Sequence, residues 1–208
     1  MAKAATMITE RRGRPSLAEG AEKRRAIVAA AIDLFLSAGY KDVSVRKVAQ
    51  RADVSTRTVY NMFEGKAALF NACLQSLSQG RDRPTLVEQG TLYDTLETFA
   101  VSILRLLSRP ESLGFARLVM RDGRDMPELA LAGHASQDEQ FVQPLAVYLR
   151  SQIPDALAAE DYAKIFISMA LAEWNRSVTF LLPIPDQQRC ASHAARVASI
   201  FVNGANEG

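Results

Sequence analysis

The chain has 208 residues, 48% apolar and 23% charged, values of an ordinary globular protein that exclude wholesale disorder and suit one mid-sized domain or a small domain joined to a larger one. Its two cysteines, Cys73 and Cys190, lie far apart with no CxxC pair, which excludes a disulfide framework and a cysteine-built zinc site and fits a reducing cytosol. The net charge of +2 divides unevenly: residues 1–80 carry 13 Lys/Arg against 7 Asp/Glu, and residues 81–208 carry 12 against 16, so a basic front suited to a polyanion is joined to an acidic body.

In chain order, Glu10, Arg11, Arg12 and Arg14 stand where a signal peptide needs an apolar stretch. No uncharged run, Ile165 to Ala172 among them, is long enough to cross a bilayer, so neither a spanning nor an exported protein is expected. Residues 1–16 read as a flexible basic arm. From Glu22 to Ala38, Ile27, Ala31, Leu34, Phe35 and Ala38 form one helical stripe, and Gly39 stands at its C-terminal cap. Ser44 is placed to cap a short helix carrying Val45, Val48, Ala49 and Ala52. Asp53 and Val54 interrupt it, and Ser55 opens a third helix through Val59 and Met62. A fourth begins near Gly65, with Leu69, Phe70, Cys73, Leu74 and Leu77 on one side. The break from Gly80 to Pro84 divides residues 17–80 from residues 81–208.

Behind that break, helical spacing runs over Leu92 to Leu107, Ser112 to Asp122, Met126 to Ala132, Ala135 to Gln152, Ala159 to Leu182 and Asp186 to Asn203. Pro110, Pro127, Pro154, Pro183 and Pro185 fall at starts or breaks of these stretches. No alternating strand pattern of useful length and no internal repeat occurs. The expected fold is all-α, with nine or ten helices.

The stretch from Ser44 to Phe63 is the most specific. Two short helices separated by three or four residues, with small Ala49 facing Val54 and Val59 beyond the turn, meet the packing needs of a helix-turn-helix, since the close crossing leaves no room for a large side chain. The second helix turns Thr56, Arg57, Tyr60 and Asn61 outward, all able to hydrogen-bond base edges or phosphates in a major groove.

Val54-Ser-Thr-Arg-Thr-Val-Tyr-Asn-Met-Phe63, followed by Gly65-Lys66 and Leu69-Phe70, resembles the TetR family of bacterial transcriptional regulators over residues 22–75. The rear is similar more loosely, through Leu113 to Ala132. The resemblance implies a homodimeric regulator, a repressor in the usual case, on a partly palindromic double-stranded DNA in the cytoplasm. Thr56, Arg57, Thr58 and Asn61 would contact bases or phosphates, Tyr60 and Lys66 would clamp the backbone, and Ser44 and Arg46 would meet phosphate at the start of the preceding helix. Three positions depart from the pattern. Met62 replaces a usual His or Tyr, Asp53 replaces the turn glycine, and Ala67 replaces a common Glu that would cap the fourth helix. Arg11-Arg-Gly-Arg-Pro15 resembles an AT-hook, whose extended arginines, here Arg11, Arg12 and Arg14, lie in a narrow A·T minor groove.

By the same resemblance, Ala159 to Phe180 and Arg189 to Phe201 would form the dimer faces, with Ala191, Ala194, Ala195 and Ala198 permitting close approach. The helices before them would enclose a pocket for a small apolar effector, with Phe99, Ile103, Phe115, Val119, Phe141 and Tyr148 as its walls. The fourth helix, Lys66 to Ser78, would couple the pocket to the reading head. Two other readings share this fold: a nucleoid-associated protein of weak sequence preference, and a regulator without an effector. No hydrolase, zinc-protease or phosphate-loop motif is present, so neither catalysis, a cofactor nor a metal site is expected. His134 and His193 read as ordinary surface or helix-end residues, Cys73 as inert core, and Trp174 as a packed core or interface residue.

Overall fold

The computed structural model describes residues 17–79, 83–153 and 156–205, and every regular element among them is helical. The arm with Arg11, Arg12 and Arg14 and the centre of the break at 80–84 lie outside the described residues. Helix α1, Leu17–Asp42, leaves helical geometry at Gly39 with φ 81°, a conformation open to a residue without Cβ. Helix α2, Val45–Arg51, is capped by Ser44, whose Oγ accepts from the Lys47 amide at 3.2 Å. Asp53 takes φ 52° in the turn, as its tolerance of left-handed backbone predicts. Helix α3, Thr56–Met62, is capped by Ser55, which accepts from the Thr58 amide at 3.0 Å. Helix α4, Lys66–Leu77, starts after Gly65 with no side-chain cap, in line with Ala67 in place of an acidic residue.

Helix α5, Leu92–Leu107, opens with a reciprocal cap between Thr91 and Asp94. Helices α6, Pro110–Asp122, and α7, Pro127–Gln137, both begin on proline, whose missing N–H is an orphan there in any case. The expected interruption at Gly133 and His134 is absent. Gly133 lies against α6 inside a continuous helix, where a Cβ would meet Val119 Cγ1 at an ordinary contact distance of 3.4 Å. That helix passes into a π turn, Asp138–Val142, and then into α8, Gln143–Leu149, the turn falling directly before Pro144, which already interrupts the backbone ladder. The long helix expected from Ala159 to Leu182 is divided at Leu171 into α9, Ala159–Ala170, and α10, Ala172–Thr179, and the chain beyond turns through Leu181 at φ 55°. Helix α11, Gln187–Ala205, is the last described element.

Packing does not follow the chain break. The front core unites Ile27, Phe35, Tyr40, Val59, Leu69 and Phe70 with Phe115 and Leu118 of α6 and Leu129 of α7. At its centre the rings of Phe35, Tyr40, Phe70 and Phe115 pack with neighbouring centroids 5.2 to 6.3 Å apart, within range of favourable stacked and edge-on contacts. The rear core joins α5 to α8, α9 and α11 through Leu96, Phe99, Ile103, Leu149, Phe166 and Phe201. Among the described residues, no helix is long and apolar enough to cross a membrane.

Candidate functional site

The turn between α2 and α3 is closed by the Val54 amide, which donates to the Ala49 carbonyl at 3.0 Å, while Ala49 and Val59 are buried on either side. With the inner face of α3 spent on Val59, its outer face carries Arg57, Tyr60 and Asn61 into solvent, with Thr56 half-buried beside them. Tyr60 is 57% exposed, a large aromatic side chain with little intramolecular packing. Thr58 faces back into the cap, its hydroxyl 2.8 Å from Ser55 Oγ. Met62 is half-buried against the front core, so the substitution that removes a polar group from the family pattern serves packing.

Ser44 and Arg46 are exposed at the start of α2. Lys47 beside them is exposed too, its Nζ donating to the Asp42 carbonyl at 2.8 Å. Sequence reading passed over Lys47, although its place three residues after a capping serine, next to Arg46, marks it as part of the same basic edge. Arg51 pairs with Asp33 at 3.3 Å on the opposite flank.

Lys66, expected to clamp the DNA backbone, is half-buried. Its Nζ donates to the Tyr40 carbonyl at 2.9 Å and sits 4.2 Å from the centroid of the Tyr40 ring, so the ammonium ties the start of α4 to the chain just past Gly39. Partial burial lowers the Lys66 pKa, opposed by the charges of Glu128 and Asp42. The Tyr40 hydroxyl is pushed up to about 12 by burial, with Glu128 adding to the shift. The Cys73 thiol also rises to about 12, through burial alone, as befits an inert core residue.

A cavity of about 330 Å³ opens beneath this head, between α4, α5, α6, α7 with its π turn, and α10. Of the six expected wall residues it takes Phe115, Val119 and Phe141. Phe99, Ile103 and Tyr148 are corrected to the rear core, where α5 lies against α11 and α8 packs on α9, leaving these side chains no free face. Two residues read as unremarkable, His134 and Trp174, line the cavity. An apolar stripe has the same appearance whether it faces a neighbour or a void. The last turns of α4 also reach the cavity, through Leu74, Leu77 and Ser78, whereas Leu69, Phe70 and Cys73 on the same helix belong to the front core.

On the far side, Ile165, Phe180, Leu181, Leu182 and Ile200 are exposed on or beside α9 to α11. Ala194 and Ala198, expected to face a second subunit, are instead fully buried in the rear core together with α5. His193 is bonded through Nε2 to the Met169 carbonyl at 3.0 Å. Among the described residues no cluster of His, Cys, Asp or Glu suits a metal ion.

Residues 27–73 match the family described as bacterial regulatory proteins, tetR family, and residues 94–204 match the AefR-like transcriptional repressor C-terminal domain. The chain is 36% identical over 109 residues to YdeS of Bacillus subtilis (strain 168), named as an uncharacterized HTH-type transcriptional regulator, covering 52% of each protein. It is 26% identical over 140 residues to the HTH-type transcriptional regulator SrpR of Pseudomonas putida, covering 67% of this chain and 65% of that one. The matched region thus spans between half and two thirds of these relatives. A solved structure from Mesorhizobium loti MAFF303099, described as a TetR-family transcriptional regulator, superposes with a TM-score of 0.71 at 23% identity over 89% of this chain and 97% of that one, which establishes the likeness of fold. With both the front and the rear matched, the chain belongs to the TetR family of bacterial transcriptional regulators.

Proposed function

We propose that this protein is a sequence-specific, DNA-binding regulator of transcription, a repressor that a small molecule releases from its operator, and not an enzyme. The observation that carries this reading is the outer face of α3, where Arg57, Tyr60 and Asn61 stand exposed on a helix capped at its start and anchored by Val59. Those side chains supply the donors and acceptors that reading base edges requires, and Arg57 has the fork that fits guanine. Ser44 and Arg46 on α2, with Thr56 on α3, would hold the adjoining phosphates. Thr58 serves α3 through its cap, and Lys66 sets the position of α4 against Tyr40 while its remaining N–H groups stay available to phosphate. Arg11, Arg12 and Arg14 would follow the minor groove beside the site.

TetR-family regulators act as dimers. The exposed Ile165, Phe180, Leu181 and Ile200 support association through residues 159–180 and 189–201. A two-fold dimer would set two copies of α3 in successive major grooves, roughly 34–36 Å apart, which calls for a partly palindromic site in cytoplasmic DNA. The cavity favours an effector-responsive protein over the effector-free and nucleoid-associated readings. It is bounded by the end of α4, the same helix whose start meets the reading head. A ligand shifts DNA affinity only if it prefers one arrangement of the heads over the other.

Selection of bound duplexes from a random pool, followed by a screen of small molecules for release, tests the proposal. Enrichment of a palindrome and at least one releasing compound are expected. Enrichment of nothing beyond bulk duplex would establish the nucleoid-type reading, and a specific site insensitive to every compound that occupies the cavity would establish the effector-free one.

A further inference from the structure

We propose that the cavity selects an uncharged molecule of one or two rings bearing a single hydroxyl or amide, and rejects anions and cations of the same shape. This deepens the effector reading above and rests on it for its regulatory meaning. Among the described residues no Asp, Glu, Lys or Arg lines the cavity, and His134 at its rim is the one ionisable side chain in that lining. An ion entering it would give up hydration with no opposite charge to meet. The inner wall is apolar, with Leu77, Leu106, Phe115 and Val119 offering flat and branched surfaces to a ring. Trp174 adds an apolar ring, because its Nε1 is already spent on the Leu107 carbonyl at 3.2 Å.

Most of the polar side chains gather on one side; of the others, Ser78 on α4 is spent on the Gln75 carbonyl at 2.8 Å, and Ser112 lies on α6. The π turn brings Gln140 to the lining beside Ser136 of α7, and Gln140 Nε2 donates to Ser136 Oγ at 2.6 Å. That bond uses neither the Ser136 hydroxyl proton nor the Gln140 side-chain carbonyl, one donor and one acceptor that together complement a hydroxyl or a primary amide. His134, Gln137 and Asn175 lie beyond them and are exposed, so the wet edge of the site is also its polar edge. The volume of about 330 Å³ is at the small end of ligand pockets, which run from roughly 300 to 1,000 Å³, and is enough for one or two rings.

Trp174 is the sole tryptophan, so its fluorescence reports occupancy directly. The full chain, without DNA, is titrated with 1-naphthol, 1-naphthoate and 1-naphthylmethyl-trimethylammonium by calorimetry and Trp174 emission. Naphthol is expected to bind and raise the unfolding midpoint, with both charged probes weaker by at least about tenfold. Comparable binding of either charged probe, or no binding of naphthol, overturns the proposal. Gln140→Leu should weaken naphthol by about fivefold while leaving naphthalene unchanged, and Ser136→Ala serves the same test should Gln140→Leu not fold. Equal losses for naphthol and naphthalene would contradict the donor–acceptor edge. DNA binding is measured separately. Charge selectivity in a protein that binds no duplex would sink the regulatory reading and leave the pocket assignment standing, while specific DNA binding with unselective probe uptake would do the reverse.

Discussion

Tyr40 stands at the joint of the molecule, and its surroundings define what single residues do here. Its carbonyl receives Lys66, its ring packs against Phe35 and Phe70, and the residue before it is Gly39 at positive φ. A Cβ at Gly39 would lie 2.7 Å from a guanidinium nitrogen of Arg121, and φ 81° is unfavourable for any side chain. Gly39→Ala is therefore expected to lose about 1–2 kcal/mol of stability in chemical denaturation. Burial raises both Tyr40 and Cys73, from 10.0 and 9.0 respectively, to about 12. Their folded forms hold protons that the unfolded chain releases, so stability is complete below pH 9 and is lost as the pH rises toward 12. Tyr40→Phe should reduce the loss between pH 10 and 12 and leave the share due to Cys73, which alkaline unfolding curves of the two proteins will show.

At the scale of elements, the parts legible in the sequence are those governed by local chemistry. Ser44, Ser55 and Gly39 mark helix ends because a side-chain acceptor or a missing Cβ suits the orphan groups and backbone angles found there. Elements decided by distant packing were read less well. Gly133 looked like an interruption and lies inside a continuous helix packed on α6, and the division at Leu171 lies within an uninterrupted apolar pattern. Phe99 and Phe115 have the same periodicity, yet one meets the rear core and the other borders the cavity, since spacing shows which side of a helix is apolar and not what stands opposite. The cap of α5 is the clearest local device. Thr91 accepts from the Asp94 amide at 3.2 Å, and Asp94 accepts from the Thr91 amide at 2.8 Å. Thr91→Ala should cost about 1 kcal/mol in thermal or denaturant unfolding. Hydrogen bonds from Thr91 also hold the Asp94 carboxyl below its usual 3.8, so the stability they supply is present above that pH and fades as the pH falls further. The Thr91→Ala protein should show a weaker acid dependence, since the amide of residue 91 still donates to Asp94 when the hydroxyl is gone.

Across the whole molecule, the reading head and the body share one continuous core, for Phe115 and Leu129 pack with Phe35 and Phe70. Helix α4 runs through this junction, bound to Tyr40 by Lys66 at one end and bordering the cavity with Leu74, Leu77 and Ser78 at the other. A ligand that displaces the end of α4 would thus act on the base of the head through packed side chains. The account depends above all on α3 entering the major groove with Arg57 against a base. The direct measurement is the affinity of native, Tyr60→Ala and Arg57→Ala proteins for the selected duplex and for single-base variants of it, by fluorescence anisotropy at one fixed salt concentration. Tyr60→Ala is expected to weaken binding to all these duplexes alike. Arg57→Ala is expected to weaken the selected site by about 1–3 kcal/mol and to erase preference at one position in each half-site. Unchanged affinity and unchanged base preference in both variants would contradict the placement of α3 in the groove.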